Sequence, residues 1–158
     1  EKAAAITHGH PSGYLSAAAM AAIVRMLLDG TDLPKATNQT LRMLSVQPDH
    51  QETTDAIKAA LQAWQTRSSD HTAKIRNLGL GWIGEEALAI ALYAALSGNS
   101  FKSVLAIGAN HDGDSDSTAS IAGQLYGAWK GLSELPNAWV QRLDVFEPMM
   151  TFFGGKSH

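Results

Sequence analysis

Residues 108–129 read GANHDGDSDSTASIAGQLYGAW, and this stretch decides how the chain is interpreted. Asp112, Asp114 and Asp116 stand at every second position, so their carboxylates repel one another unless water or a bound cation offsets the repulsion. From Ser117 onward, small and apolar residues recur at helical spacing. The pattern predicts an acidic loop that ends directly at a packed helix.

The ligand types in this loop indicate which ion it would hold. Oxygen donors with no cysteine nearby suit Mg²⁺, Mn²⁺ or Ca²⁺ rather than zinc. An EF-hand is excluded, because Ser117 and Gly123 stand where that loop needs a glycine and a bidentate glutamate. Asp114, Asp116 and Ser117 are therefore candidate metal ligands. The alternative is that Asp116 or Ser117 only caps the helix while the other aspartates are solvated.

The same stretch resembles the signature of the ADP-ribosylglycohydrolases, which read Gly-Asp-Thr-Asp-Thr, then Ala, Ile-Ala-Gly and Gly-Ala at matching offsets. Ser115 and Ser117 replace the two threonines and keep a hydroxyl. The resemblance implies an all-helical hydrolase with two divalent cations, Mg²⁺ or Mn²⁺, that cleaves the glycosidic bond between ADP-ribose and an acceptor. It further implies catalytic roles for Asp114 and Asp116, and metal ligation by these two residues and Ser117.

A second resemblance lies near the start of the chain, where Thr7-His8 precedes an apolar helix. An imidazole at a loop-to-helix junction can donate to phosphate or ribose oxygens. A lone histidine there is more often structural. The family places this histidine beside bound ADP-ribose, so His8 is a predicted substrate-binding residue. His10 has no comparable support.

Residues 78–93 read LGLGWIGEEALAIALY and resemble another family segment, a glycine loop followed by a helix. A dinucleotide fold is rejected, because no strand precedes the glycines. Gly79 and Gly81 would let backbone amides approach a pyrophosphate, so both are predicted to bind substrate. Glu85 and Glu86 fall in the first helical turn, where the dipole favours acids. We expect one of them to make a further structural hydrogen bond and neither to be a catalyst.

Composition fits a single globular domain, since 45% of the 158 residues are hydrophobic and 17% are charged. The net charge of −3 argues against a nucleic-acid partner. The absence of cysteine excludes disulfides and thiolate metal sites. Apolar runs are interrupted by charges before reaching the roughly 18 residues of a membrane span. We expect a cytoplasmic protein without a membrane partner.

Apolar periodicity predicts helices throughout and no convincing strand. The helix over 15–28, apolar on more than one face, is expected to be central. Others are predicted over 32–46, from residue 52, from 84, from 100 and from 117, with 68–77 as a surface connection. A last helix through Trp139 is expected to stop at Pro148, with 149–158 as a tail. The predicted fold is a compact orthogonal multi-helix domain.

Residues 1–158 are similar to the C-terminal portion of the family's single domain, and one departure limits that likeness. The family's N-terminal portion supplies a Thr-Asp-Asp motif and a glutamate to the metal site, and neither occurs here. Asp114, Asp116 and Ser117 are too few for two cations that each take about six oxygens. We therefore expect an enzyme completed by its N-terminal half, acting on an arginine-linked ADP-ribosylated protein or a small ADP-ribose conjugate. The alternative is a non-catalytic ADP-ribose-binding or interaction module with a degenerate metal site.

This interpretation predicts a core that extends beyond 158 residues, because apolar helix faces must be enclosed. Expressed alone, the chain is expected to expose a large apolar surface, to aggregate or bind hydrophobic dye, and to bind metal weakly.

Overall fold

A computed structural model describes residues 2–153 of the chain. This part contains helices and turns but no strand, which confirms the all-α prediction. The helices are α1 (Lys2–Ala5), α2 (Pro11–Leu28), α3 (Leu33–Leu44), α4 (Gln51–Gln65), α5 (His71–Arg76), α6 (Gly84–Ser97), α7 (Phe101–Ala109), α8 (Ser115–Lys130), α9 (Asn137–Val140) and α10 (Phe146–Phe153), with a 3₁₀ turn at Leu132–Glu134.

Helix α6 is the centre of the fold. Eleven of its 14 residues are buried, among them Leu88, Ile90 and Leu92. Helices α2, α4, α7 and α8 all pack against it, because a helix that is apolar on every face must be enclosed. The expectation that the 15–28 helix is central was therefore wrong.

Helix α2 instead buries one stripe, formed by Leu15, Ala19, Ile23 and Leu27, and leaves Leu28 69% exposed. By length and composition alone it is long and apolar enough to cross a membrane, with a mean hydropathy of 1.3 and one third of it buried. Arg25 interrupts its apolar run before 18 residues, as the sequence analysis expected, although the helix as a whole has 18 residues. Its packing against α3, α6 and α8 is the behaviour of a core helix.

Small residues let α7 and α8 approach closely beneath the acidic loop. A Cβ added to Gly108 on α7 would lie 3.1 Å from the Cα of Ala119 on α8. A Cβ on Gly123 would lie 3.1 Å from Leu105 Cδ2, which confirms tight packing at this glycine. A Cβ added to Gly127, expected on the same face, would have no atom of a neighbouring element within 4 Å.

Other differences from the prediction have local causes. Within 68–77 the structure has α5, where Asp70 Oδ1 accepts a hydrogen bond from the Ala73 amide at 2.9 Å and Ile75 is buried. Helix α3 ends at Leu44 and leaves Val46 79% exposed. Pro148 lies in the first turn of α10, where its missing amide costs nothing, so it does not end a helix there. Of the predicted tail, 154–158 lie outside the described residues.

Candidate metal centre and substrate pocket

Thr118 anchors the acidic loop to the core. Its buried hydroxyl donates to the Gly108 carbonyl at 2.7 Å and lies 3.0 Å from the Asp114 carbonyl. His111 Nδ1 accepts from the Gly113 amide at 3.1 Å, so its proton is on Nε2, which donates to Thr118 Oγ1 at 2.8 Å. One buried threonine thus joins the loop, the start of α8 and the end of α7.

Asp114 and Asp116 are brought together at the start of α8. A side-chain hydrogen bond with Asp114 is the main cause that lowers the pKa of Asp116, followed by the backbone amides of Asp116 and Ser117. Asp116 is exposed to solvent, whereas Asp114 and Ser117 are half-buried. The third aspartate, Asp112, instead lies 3.9 Å from the Arg76 guanidinium on α5. The loop therefore presents two adjacent carboxylates rather than three.

The capping alternative named Asp116 or Ser117 as the cap of the helix, and the structure has neither at that position. Helix α8 begins at Ser115, so Asp114 is its N-cap, and the Asp114 side chain makes no capping hydrogen bond. The expected start near Ser117 was two residues late.

Ser117 and the two aspartates offer oxygen donors only, which suits Mg²⁺ or Mn²⁺. Within residues 2–153, however, no group of three or more histidines and carboxylates could hold a metal ion. Asp114, Asp116 and Ser117 therefore fit part of the ligand set of a Mg²⁺ or Mn²⁺ site.

The glycine loop is held by Glu86. One carboxylate oxygen of Glu86 accepts hydrogen bonds from the Leu80 and Gly81 amides, both at 3.0 Å. Gly79 has φ of 118°, and an added Cβ there would overlap the Glu86 side chain. The expectation that one of the two glutamates makes a structural hydrogen bond is confirmed. The Gly81 amide, predicted to approach a pyrophosphate, donates to Glu86 in this structure.

The glycine loop in turn supports the acidic loop. The Leu80 carbonyl accepts a hydrogen bond from the Asp114 amide at 2.8 Å. Gly81, with φ of 81°, lies so close that an added Cβ would be 2.9 Å from Thr118 Cγ2 and 3.6 Å from Asp114 Cβ. The predicted site residues Gly79, Gly81 and Asp114 therefore lie in one hydrogen-bonded unit. Substrate contact by these glycines stays a prediction.

His8 lies elsewhere, at an open pocket of about 820 Å³. Its Nδ1 is 2.8 Å from Thr7 Oγ1, and the ring is exposed. Neither the aspartates nor Gly79 and Gly81 line this pocket, but Ile121, one turn after Ser117 on α8, does. The other lining residues come mainly from α2, the loop before it and the start of α6, and include His10, Ser12, Gly13, Ser16, Glu52, Trp82, Ile83 and Glu85.

Sequence reasoning missed three contributors to this architecture. His111 and Thr118 fix the acidic loop from inside, and His10 caps α2 by accepting from the Ser12 amide at 3.4 Å. The available signal was the spacing of seven residues between His111 and Thr118. This spacing spans the loop and the first turn of the helix, so it allows the two side chains to meet. Nothing in the spacing of His8 and His10 indicated that His10 both caps α2 and lines the pocket.

A family model for the ADP-ribosylglycohydrolases matches residues 1–153. The chain belongs to this family. The matched range includes the acidic loop, the glycine loop and Thr7-His8, whose roles stay predictions.

Two curated relatives align with most of the chain. The ADP-ribosylarginine hydrolase Tri1 of Pseudomonas putida is 29% identical over 138 residues, which is 87% of this chain and 33% of that protein. The ADP-ribosyl-[dinitrogen reductase] glycohydrolase of Rhodospirillum rubrum is 23% identical over 142 residues, 90% of this chain and 41% of that protein. The chain thus spans between a third and about two fifths of these relatives. No solved structure matches it significantly.

The Thr118 anchor gives a direct stability prediction. Thr118→Val keeps the side-chain shape but leaves the Gly108 carbonyl and His111 Nε2 without their partner, so the free energy of unfolding should fall by about 1–3 kcal/mol. Urea denaturation measures the change. Ser120→Ala, an exposed hydroxyl on the same helix, is the matched control and should stay within about 0.5 kcal/mol. Equal effects of the two variants would contradict the anchoring role.

Proposed function

We propose that this chain is the metal-binding C-terminal portion of a metal-dependent ADP-ribosyl hydrolase, which its N-terminal half completes. The observation that carries the proposal is the adjacent carboxylate pair Asp114 and Asp116, on a loop that the glycine loop and Thr118 hold in place. Membership of the ADP-ribosylglycohydrolase family supports the reaction class. The names of both relatives support an ADP-ribosylated protein as substrate.

Asp114, Asp116 and Ser117 would hold one side of a centre of two cations, Mg²⁺ or Mn²⁺. When bound, such cations supply Lewis acidity and an activated water for cleavage at the anomeric carbon. The chain's own contribution is positioning. The Asp114 amide is fixed by the Leu80 carbonyl, and no lysine or arginine is hydrogen-bonded to Asp114 or Asp116 in the described chain. No basic side chain of the described chain therefore competes with a cation for these two carboxylates.

His8 would contact the ADP-ribose portion of the substrate. It stands at the exposed side of the pocket, where its imidazole can donate to a phosphate or ribose oxygen. Trp82, which lines the same pocket and is 67% exposed, offers an aromatic face. The arginine linkage is favoured as substrate because one relative is named an ADP-ribosylarginine hydrolase.

A non-catalytic ADP-ribose-binding module with a degenerate metal site is the second candidate. The incomplete donor set within residues 2–153 favours it. The two candidates differ in turnover. We expect the complete protein to release ADP-ribose from an arginine-linked substrate with Mg²⁺ or Mn²⁺ and to lose that activity with a chelator. Binding of ADP-ribose without release from either arginine-linked or serine-linked substrate would favour the module.

A further inference from the structure

Glu86 connects the glycine loop to the most rigid part of the fold. It stands in the first turn of α6, the helix of which eleven of 14 residues are buried. From there its side chain reaches back to the loop, and one oxygen, Oε2, accepts hydrogen bonds from the Leu80 and Gly81 amides, both at 3.0 Å. A carboxylate on the central helix therefore fixes the position of a loop at the surface.

The glycine loop has little other attachment. Leu80 is 47% exposed, so its side chain buries little apolar area that would hold the loop to the core. The glycines on both sides of it have more conformational freedom than any other residue type. Within the described chain, the Leu80 amide donates to Glu86, and the Leu80 carbonyl accepts from the Asp114 amide at 2.8 Å. The contact with Glu86 therefore determines where the carbonyl that receives Asp114 lies.

Glu86 acts in this contact as a hydrogen-bond acceptor rather than as a partner in an ion pair. None of the ion pairs within residues 2–153 includes it. Both bonds from the loop end on the same oxygen atom, and a carbonyl-type oxygen in that position has the two lone pairs needed to accept them. The acceptor role of Glu86 is therefore separable from its negative charge.

We propose that Glu86 is a positioning residue of the candidate metal centre. By holding the Leu80 carbonyl in place, it keeps the Asp114 amide engaged, so that the acidic loop is ordered before a cation binds. The apparent affinity for a ligand falls with the fraction of protein in the competent conformation. A loop released from Glu86 therefore binds the same cation more weakly. The inference rests on the proposed binding of Mg²⁺ or Mn²⁺ by Asp114 and Asp116.

The test compares two variants of the complete enzyme. Glu86→Gln keeps the acceptor oxygen and loses the charge, whereas Glu86→Asp keeps the charge and withdraws the oxygen from the loop by one methylene. Glu86→Asp should weaken Mn²⁺ binding about 10- to 100-fold, the range for residues that support metal ligands. Its turnover at saturating Mn²⁺ should stay within about threefold of normal, because bound metal then orders the loop. Glu86→Gln should change the Mn²⁺ affinity by no more than about threefold. Glu134→Gln, which removes an exposed carboxylate after α8, is the control and should change neither quantity.

Amide hydrogen exchange in the metal-free enzyme tests the coupling without metal or turnover. Glu86→Asp should accelerate exchange about tenfold or more at the Leu80 and Gly81 amides and also at the Asp114 amide, whereas Glu86→Gln should not. Acceleration at the first two amides with unchanged exchange at Asp114 would overturn the proposal. So would normal Mn²⁺ affinity in Glu86→Asp, or equally weak binding in both variants, since the latter assigns the effect to charge. A protein that binds no Mn²⁺ but shows the coupled exchange would refute the proposed function and leave the control of the loop by Glu86 standing.

Discussion

Asp116→Asn in the complete enzyme is expected to weaken Mn²⁺ binding by at least about 100-fold and to abolish ADP-ribose release. The carboxylate of Asp116 lies beside that of Asp114, and losing one anionic oxygen donor removes both a ligand and half of the local negative charge. Even partners that only support metal ligands change affinity by about 10–100-fold, so a direct ligand should exceed that range. Calorimetric titration with Mn²⁺ and a turnover assay measure the two effects.

Two controls separate metal ligation from helix capping. Asp112→Asn removes the neighbouring aspartate of the loop, which lies near Arg76 instead, and should leave Mn²⁺ affinity within about threefold. A melting curve of Asp116→Ala is the second control, because a pure capping loss would cost about 1 kcal/mol of stability and leave metal binding alone. Destabilisation of that size with unchanged Mn²⁺ affinity would contradict the ligand role.

Sequence patterns located the acidic loop and the glycine loop because each carries residues with few conformational alternatives. The three alternating aspartates, and glycines with φ above 80° at 79 and 81, restrict local geometry strongly. The sequence also indicated that each of the two loops resembles a family segment. It did not indicate that they are hydrogen-bonded to each other through the Leu80 carbonyl and the Asp114 amide, because that bond is between backbone atoms.

It was harder to predict which helix is the most deeply buried. Residues 11–28 and 84–97 are both rich in alanine and leucine, so periodicity alone cannot say which helix is enclosed. The extent of burial distinguishes them, since eleven of the 14 residues of α6 are buried and only six of the 18 residues of α2. Helix α5 was missed for a related reason. Its sequence HTAKIR offers Ile75 as its one large apolar side chain, so the helix is held by tertiary contacts such as His71 Nδ1 to Tyr93 Oη at 2.8 Å.

The sequence alone does not say which contacts the two glutamates at the start of α6 make. Both stand in the same helical turn and both suit the dipole. Glu86 turns back to the glycine loop, whereas Glu85 is directed by the helical rotation toward the pocket between α2 and α6. Adjacent residues on a helix differ by about 100° in direction, so identical residue types acquire different roles.

Gly113→Ala is expected to have the second large effect, through displacement of the acidic loop rather than loss of a ligand. An added Cβ at this position would overlap the Leu80 carbonyl oxygen and lie 2.6 Å from its carbon. The obstacle is backbone, so the two loops must separate and the Asp114 amide loses its 2.8 Å hydrogen bond. Stability should fall by about 1–3 kcal/mol. Turnover should fall about 100-fold, because a shift of about 1 Å in a catalytic group has that consequence.

Gly127→Ala is the matched control for this substitution, since the methyl group that it adds to a helical glycine would meet no atom of a neighbouring element within 4 Å. It should stabilise α8 by up to about 1 kcal/mol, because alanine has the higher helix propensity, and should leave turnover unchanged. Opposite signs in denaturant unfolding are therefore expected for the two glycines. A Gly113→Ala enzyme with the stability and turnover of the unmodified protein would show that the glycine loop does not position Asp114, and the coupling of the two loops would then have no part in catalysis.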